Sequence, residues 1–86
     1  MAAVQLTLYS RSYCHLCEQM HDALQPLREQ YRFALDVVDV DADPALVAQY
    51  DELVPVLVGS RNGGTLQQLC HYVLDETKVL DFLRRG

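Results

Sequence analysis

The sequence has no apolar run that approaches the ~20 residues of a membrane-spanning helix. It also lacks the basic segment that opens a signal peptide, and Gln5 and Thr7 interrupt the short apolar stretch near its start. No repeat, low-complexity tract or linker divides the chain. We therefore expect a single domain, residues 1–86, that lies in the cytoplasm and has no membrane partner.

Positive charge is also scarce. Seven lysines and arginines are outnumbered by twelve aspartates and glutamates, which gives a net charge of −5. Proteins that bind nucleic acids usually carry clustered positive charge to contact the phosphates, so this composition argues against a nucleic-acid partner. Half of the residues are apolar and 22% are charged, a balance that is typical of a folded domain and excludes a disordered chain.

Cysteine is too rare for a disulfide framework. The three cysteines, Cys14, Cys17 and Cys70, cannot all be paired within the chain, which argues against a small secreted domain held together by disulfides. Thiols stay mostly reduced in the cytosol, so a close cysteine pair there points to a catalytic, redox-sensing or metal-binding role.

Apolar periodicity predicts two strands that flank a helix in the first half of the chain. Residues 4–9 alternate apolar and polar side chains, and residues 14–31 carry an apolar stripe at helical spacing. Pro26 lies within that helix and predicts a kink or a break. Residues 33–40 are almost continuously apolar, which predicts a second strand buried on both faces. Because a helix separates the two strands, we expect them to be parallel.

Cap and turn signals divide the second half of the chain. Asp43 and Pro44 are typical of a helix start, as the N-cap and the first helical residue of a short helix. Residues 54–58 predict a third strand, and the turn signal at 61–64 leads to a fourth strand at 65–72, paired as a hairpin.

A last helix is predicted after Asp75, with Val79, Leu80 and Leu83 facing inward. The predicted order is therefore β-α-β-α-β-β-α. This order indicates an α/β domain in which a mixed four-stranded sheet carries helices on both faces.

Cys14 and Cys17 stand three residues apart at the predicted start of the first helix. The first amides of a helix have no partners and its dipole is positive there, and both effects stabilise a thiolate at Cys14. Cys17 lies on the same helical face, borders the apolar stripe, and can reach Cys14 to resolve a mixed disulfide. We therefore predict catalytic roles for both. His15 either favours the thiolate when protonated or is a solvated surface residue.

The pair has two other interpretations. It could be half of a zinc site, although no second C-x-x-C and no H-x₃₋₅-H pattern exists, so no metal site is predicted. The remaining ligands would have to come from His15, His21, Cys70 and His71. The two residues could also be ordinary buried cysteines, which is the role predicted for Cys70 in the fourth strand.

Three segments resemble the thioredoxin superfamily, and its glutaredoxin-like branch most closely. They are Leu-Thr-Leu-Tyr-Ser at 6–10, Tyr-Cys-His-Leu-Cys at 13–17 and Val-Pro-Val-Leu at 54–57. The resemblance implies the minimal glutaredoxin-type core of the thioredoxin-like fold and a thiol–disulfide oxidoreductase activity, with Cys14 attacking and Cys17 resolving. It implies a monomer without a bound cofactor, with glutathione as a candidate co-substrate, that acts on a disulfide-containing protein or a low-molecular-weight thiol.

The resemblance also implies a substrate-binding surface. Pro55 is similar to the cis-proline that the family packs opposite its cysteine pair, whereas a trans proline there would merely start a strand. A cis bond would expose the backbone of Val54, which could pair with a bound peptide or with glutathione. Tyr13 would partly shield the pair. We therefore predict Tyr13, Val54 and Pro55 as substrate-binding residues.

The chain departs from the glutaredoxin pattern in three places. His15 and Leu16 stand where the family often has Pro-Tyr, and Leu53 stands where it usually has Thr. Glutaredoxins receive the glutathione carboxylate on a Gly-Gly pair before the last helix, but here Asp75 and Glu76 occupy that region and would repel it. Two alternatives therefore stay open: a metal-binding or iron–sulfur glutaredoxin-like protein, and a non-catalytic binding module with the same fold.

Overall fold

The chain folds in the predicted order β-α-β-α-β-β-α, with one 3₁₀ turn added after the second strand. The computed structural model describes residues 4–12, 14–50, 53–61 and 64–84. The elements are β1 (Val4–Ser10), α1 (His15–Tyr31), β2 (Ala34–Asp39), the 3₁₀ turn (Val40–Ala42), α2 (Pro44–Tyr50), β3 (Val56–Arg61), β4 (Gln67–His71) and α3 (Glu76–Arg84).

The four strands form one mixed sheet in the order β2-β1-β3-β4. The central strand β1 pairs parallel with β2, where Leu6 lies opposite Leu35, and antiparallel with β3, where Leu6 lies opposite Gly59. β3 and β4 form an antiparallel hairpin whose register shifts between Leu57 and Val58. The predicted parallel pair, hairpin and mixed sheet are all confirmed.

Helices cover both faces of the sheet, as predicted. The larger core joins α1 and α3 to one face and includes Leu6, Leu8, Met20, Leu24, Leu27, Leu57, Val79 and Phe82. The smaller core joins α2 to the other face and includes Val40, Tyr50, Val56 and Val58. The Tyr9 ring stacks on the Tyr50 ring there, with centroids 4.6 Å apart. Residues of β3 alternate between the two cores, so this strand is buried on both faces.

Two helix starts follow the predicted capping chemistry. The Ala45 N–H donates to Asp43 Oδ1 over 2.9 Å at the start of α2, and the Lys78 N–H donates to Asp75 Oδ1 over 3.2 Å at the start of α3. Each side chain satisfies an amide that has no partner within its helix.

One local prediction is wrong, and two others can be made more exact. β2 is not buried on both faces, because it is an edge strand and the Val37 side chain is 54% exposed. Of the kink or break predicted in the helix at Pro26, the break does not occur, since α1 continues through it to Tyr31. On α3, Val79 is buried and Leu80 and Leu83 are half-buried against the larger core, so these three residues face inward as predicted; Phe82 is buried as well. Phe82 lies one helical turn from Val79 and so shares its face.

Within these described ranges, none of the helices combines the length and the apolar composition that crossing a bilayer requires.

Candidate active site

Cys14 and Cys17 lie where β1 gives way to α1. β1 ends at Ser10, and α1 begins at His15 with Cys14 as its N-cap in an extended conformation. Cys17 is inside the first turn and only 4% exposed, whereas Cys14 is half-buried. The cysteine nearer to solvent is therefore the one at the very start of the helix.

The two cysteines form a disulfide, with their Cα atoms 5.2 Å apart. The Cys17 N–H also donates a hydrogen bond to Cys14 Sγ over 3.1 Å. The same amide and the positive end of the helix dipole would stabilise a negative charge on that sulfur once the disulfide is reduced. The predicted proximity of the two thiols is thus observed, and their individual catalytic roles stay predictions.

Pro55 and Val54 lie in the loop that connects α2 to β3. The Val54–Pro55 peptide bond is cis, and the Pro55 carbonyl accepts the Tyr72 N–H over 2.9 Å. The Val54 N–H donates to the Tyr50 carbonyl over 3.1 Å. That N–H is already used within the chain, so strand-like pairing of a substrate would have to use the Val54 carbonyl. Tyr13, the third predicted substrate-binding residue, lies outside the described residues.

A cleft of about 370 Å³ opens beside the disulfide. Its lining comprises Leu8, Ser10, Arg11, Ser12, Cys14, Cys17, Glu18, His21, Asp22 and Val37. Arg11 forms an ion pair with Asp41, with 2.7 Å between Nη2 and Oδ1. That pair offsets the charge of Arg11, which leaves the carboxylates of Glu18 and Asp22 to give the cleft an acidic character.

A second, smaller groove of about 180 Å³ lies on another side of α1. We name it the Leu16 groove; it is lined by Leu16, Gln19, Met20, Ala23, Tyr72, Val73 and Leu74. Leu16 is 40% exposed, Tyr72 44% and Val73 64%, so the groove presents large apolar side chains to solvent, and Leu16 stands between the two cysteines in the sequence. The sequence did not reveal this groove, because its walls come from segments about fifty residues apart.

The zinc interpretation requires a group of at least three His, Cys, Asp or Glu side chains. The described part of the chain contains no such group. His71 instead packs edge-on against the Tyr72 ring, with centroids 4.8 Å apart. Cys70 lies buried in the larger core, as predicted, and this burial raises the pKa of its thiol.

Comparison with known proteins agrees with this geometry. A family model described as a glutaredoxin-like domain (DUF836) matches residues 5–84. Protein Ne2328 from Nitrosomonas europaea, solved by NMR, is 34% identical, with a TM-score of 0.81 over 95% of this chain and 93% of that one. Target protein XcR50 from X. campestris is 33% identical, with a TM-score of 0.67 over 94% of this chain and 97% of that one.

More distant structures share the fold alone. Oxidised mitochondrial thioredoxin 3 from Saccharomyces cerevisiae is 16% identical, with a TM-score of 0.75 over 100% of this chain and 81% of that one. None of the curated proteins matches the chain.

Proposed function

The chain belongs to the glutaredoxin-like domain family and has the thioredoxin-like fold, and from this premise we propose that it is a thiol–disulfide oxidoreductase. The observation that carries the proposal is the arrangement of the cysteine pair. Cys14 caps α1 and accepts the Cys17 N–H, and Cys17 is buried directly behind it. A half-buried sulfur at a helix start suits a nucleophile, and a buried sulfur in contact with it suits a resolving thiol.

In the proposed reaction, the Cys14 thiolate attacks one sulfur of a substrate disulfide. A bond forms between Cys14 and that sulfur, and the other substrate sulfur leaves as a thiolate and takes up a proton. The Cys17 sulfur then forms a bond to Cys14, and the second substrate sulfur leaves as a thiol. The substrate is reduced by two electrons, the Cys14–Cys17 disulfide is formed, and a cellular thiol reduces it for the next cycle.

The surroundings of the pair favour a protein disulfide over glutathione disulfide as substrate. The Leu16 groove offers exposed apolar surface to a side chain that flanks a protein disulfide. Asp75 and Glu76 follow this groove directly and carry negative charge into the region where glutaredoxins receive a carboxylate. Glutathione therefore remains a candidate electron donor only, and the proposed setting is the cytoplasm, where thiols are kept reduced.

The test is an insulin-disulfide reduction assay with dithiothreitol as the electron donor. The wild type should accelerate reduction, and Cys14→Ser should abolish the acceleration. Cys17→Ser should accumulate a mixed disulfide at Cys14, visible as an added mass on the intact protein. Cys70→Ala is the matched control, because it removes a thiol that lies in the core, and it should keep the wild-type rate. Equal rates for wild type and Cys14→Ser would overturn the proposal.

A further inference from the structure

Resolution of the mixed disulfide needs Cys17 to lose its proton, and Cys17 is only 4% exposed. The thiolate is the nucleophile, and burial away from charge disfavours it. Bulk water has little access to the Cys17 sulfur, so a side chain beside it is better placed than solvent to take the proton. We propose that His21 is this proton acceptor, which makes it a further residue of the oxidoreductase proposed above; the inference rests on that function.

Helical spacing places His21 next to Cys17. The two residues are four apart in α1, so their side chains lie about 40° apart around the helix and are neighbours on one face. Both also line the cleft beside the disulfide. The His21 side chain is 45% exposed, so it can exchange a proton with solvent after it has taken one from Cys17.

The two carboxylates of the cleft are less well placed. Glu18 follows Cys17 directly and points about 100° away around the helix. Asp22 is five residues on and points about 140° away, and its side chain is 84% exposed. Asp22 lies beside His21, with 3.8 Å between Oδ1 and Nδ1, and would stabilise the imidazolium that forms when His21 takes a proton.

Among the described residues that line the cleft, those on the strand side include no competing base. Leu8 from β1 and Val37 from β2 are apolar, and Ser10 carries only a hydroxyl. Arg11 stays protonated and is paired with Asp41. Histidine is the side chain that ordinarily changes charge between pH 5 and 8, which suits it to accept and return a proton in one cycle.

The resolving step transfers one proton and exchanges one disulfide bond for another. The Cys17 thiol gives its proton to the His21 imidazole, and the sulfur electron pair forms the bond to Cys14 Sγ. The bond between Cys14 Sγ and the substrate sulfur breaks, and its electron pair leaves with the substrate thiolate. An alkyl thiolate takes the proton back from the imidazolium, whereas an aromatic thiolate stays ionised and the proton passes to solvent, so His21 ends the step neutral in both cases.

The test separates attack from resolution by stopped flow, with a chromogenic aromatic disulfide and reduced protein carrying Cys70→Ala. The first coloured thiolate released reports attack by Cys14, and the second reports resolution by Cys17. His21→Gln should leave the first release unchanged and slow the second by about 10²-fold at neutral pH. His71→Gln, which changes a histidine outside the cleft, is the matched control and should leave both releases unchanged.

The pH profile distinguishes a proton acceptor from a residue that only supports the helix. In the wild type, the second release should rise with pH to a plateau. In His21→Gln it should keep rising with pH, because hydroxide must then remove the proton. An unchanged second release, or a slower release with the wild-type pH profile, would overturn the assignment of His21. A wild type that shows no fast first release would overturn the oxidoreductase proposal itself, and the role of His21 with it.

Discussion

The backbone N–H of Cys17 donates a hydrogen bond to the Sγ of Cys14 over 3.1 Å. Cys14 thereby does for α1 what Ser or Asp does at other helix starts, and its side chain satisfies an amide that the helix leaves without a partner. The two cysteines are therefore linked by a hydrogen bond as well as by their disulfide. When the disulfide is reduced, the same amide remains directed at the sulfur that would carry negative charge.

Reduced Cys14 should therefore react with iodoacetamide at lower pH than an ordinary cysteine does. Cys70 is the internal control, because burial raises the pKa of its thiol and keeps it protonated where Cys14 is already a thiolate. Rates measured from pH 5 to pH 10 by peptide mass spectrometry should show Cys14 alkylated first and Cys70 last. A Cys14 profile like that of a free cysteine would favour the non-catalytic module.

Removing the charges at Asp75 and Glu76 should improve the reaction with oxidised glutathione, which is an anion at neutral pH. Asp75→Asn keeps the cap of α3, since Asn caps helices as well as Asp, and Glu76→Gln keeps the size of the side chain. The double variant should react several-fold faster with oxidised glutathione than the wild type does. Added salt should bring the two rates closer together, because it screens the repulsion in the wild type.

Insulin reduction serves as the control for this double variant, because its disulfides do not present the same clustered carboxylates. The insulin rate should stay at the wild-type value. If the glutathione rate also stays unchanged, these two acids do not set the preference against glutathione.

A charge in the Leu16 groove should weaken the binding of protein substrates and leave the reaction with small disulfides unchanged. Val73 is 64% exposed at the groove, so Val73→Glu should fold normally. A bound protein substrate would bury the Val73 side chain, and loss of that contact is worth roughly 1.5 kcal/mol, which corresponds to about a tenfold rise in KM for insulin. The rate with a small uncharged disulfide should not change. Val73→Thr keeps the shape of the side chain and should cost much less; equal KM values for all three proteins would exclude the groove from substrate binding.

The sequence was sufficient for the features that local chemistry decides. The alternation in β1, the cap at Asp43 and the cap at Asp75 each depend on neighbours within a few residues, and each was predicted correctly. The position of the Cys14–Cys17 pair at the start of α1 belongs to the same class. Such features need no knowledge of the sheet order.

The strand pairing was predictable, but burial and surface shape, which depend on how distant elements pack, were not. The apolar run of β2 predicted burial on both faces, but β1 pairs with β3 on its other side and leaves β2 at the edge with Val37 exposed. Pro26 indicated a kink or a break, yet α1 continues through it, with residues on both sides of Pro26 packed in the larger core. The cleft and the Leu16 groove exist only once these elements have packed.

The close packing of Phe82 from α3 over Gly59 in the sheet should make Gly59 sensitive to substitution. A Cβ atom at Gly59 would lie 2.7 Å from Phe82 Cε1, 2.9 Å from Phe82 Cζ and 3.1 Å from Leu6 Cδ2. Phe82 is only 6% exposed, and its ring lies 5.0 Å from the Arg61 guanidinium, so it has little room to move. Gly59→Ala should therefore destabilise the fold by about 1–3 kcal/mol, measured as a lower urea midpoint with an unchanged slope.

A double-mutant cycle with Phe82→Leu tests the cause of that loss. Leucine lacks the two ring atoms nearest to the added methyl group, so Gly59→Ala should cost clearly less in the Phe82→Leu protein than in the wild type. A similar cost in both proteins would assign the loss to the backbone of β3 instead. Because Gly59 and Phe82 both lie away from the cysteine cleft, the folded fraction of each variant should reduce insulin at the wild-type rate, which separates the stability of this core from the chemistry at Cys14.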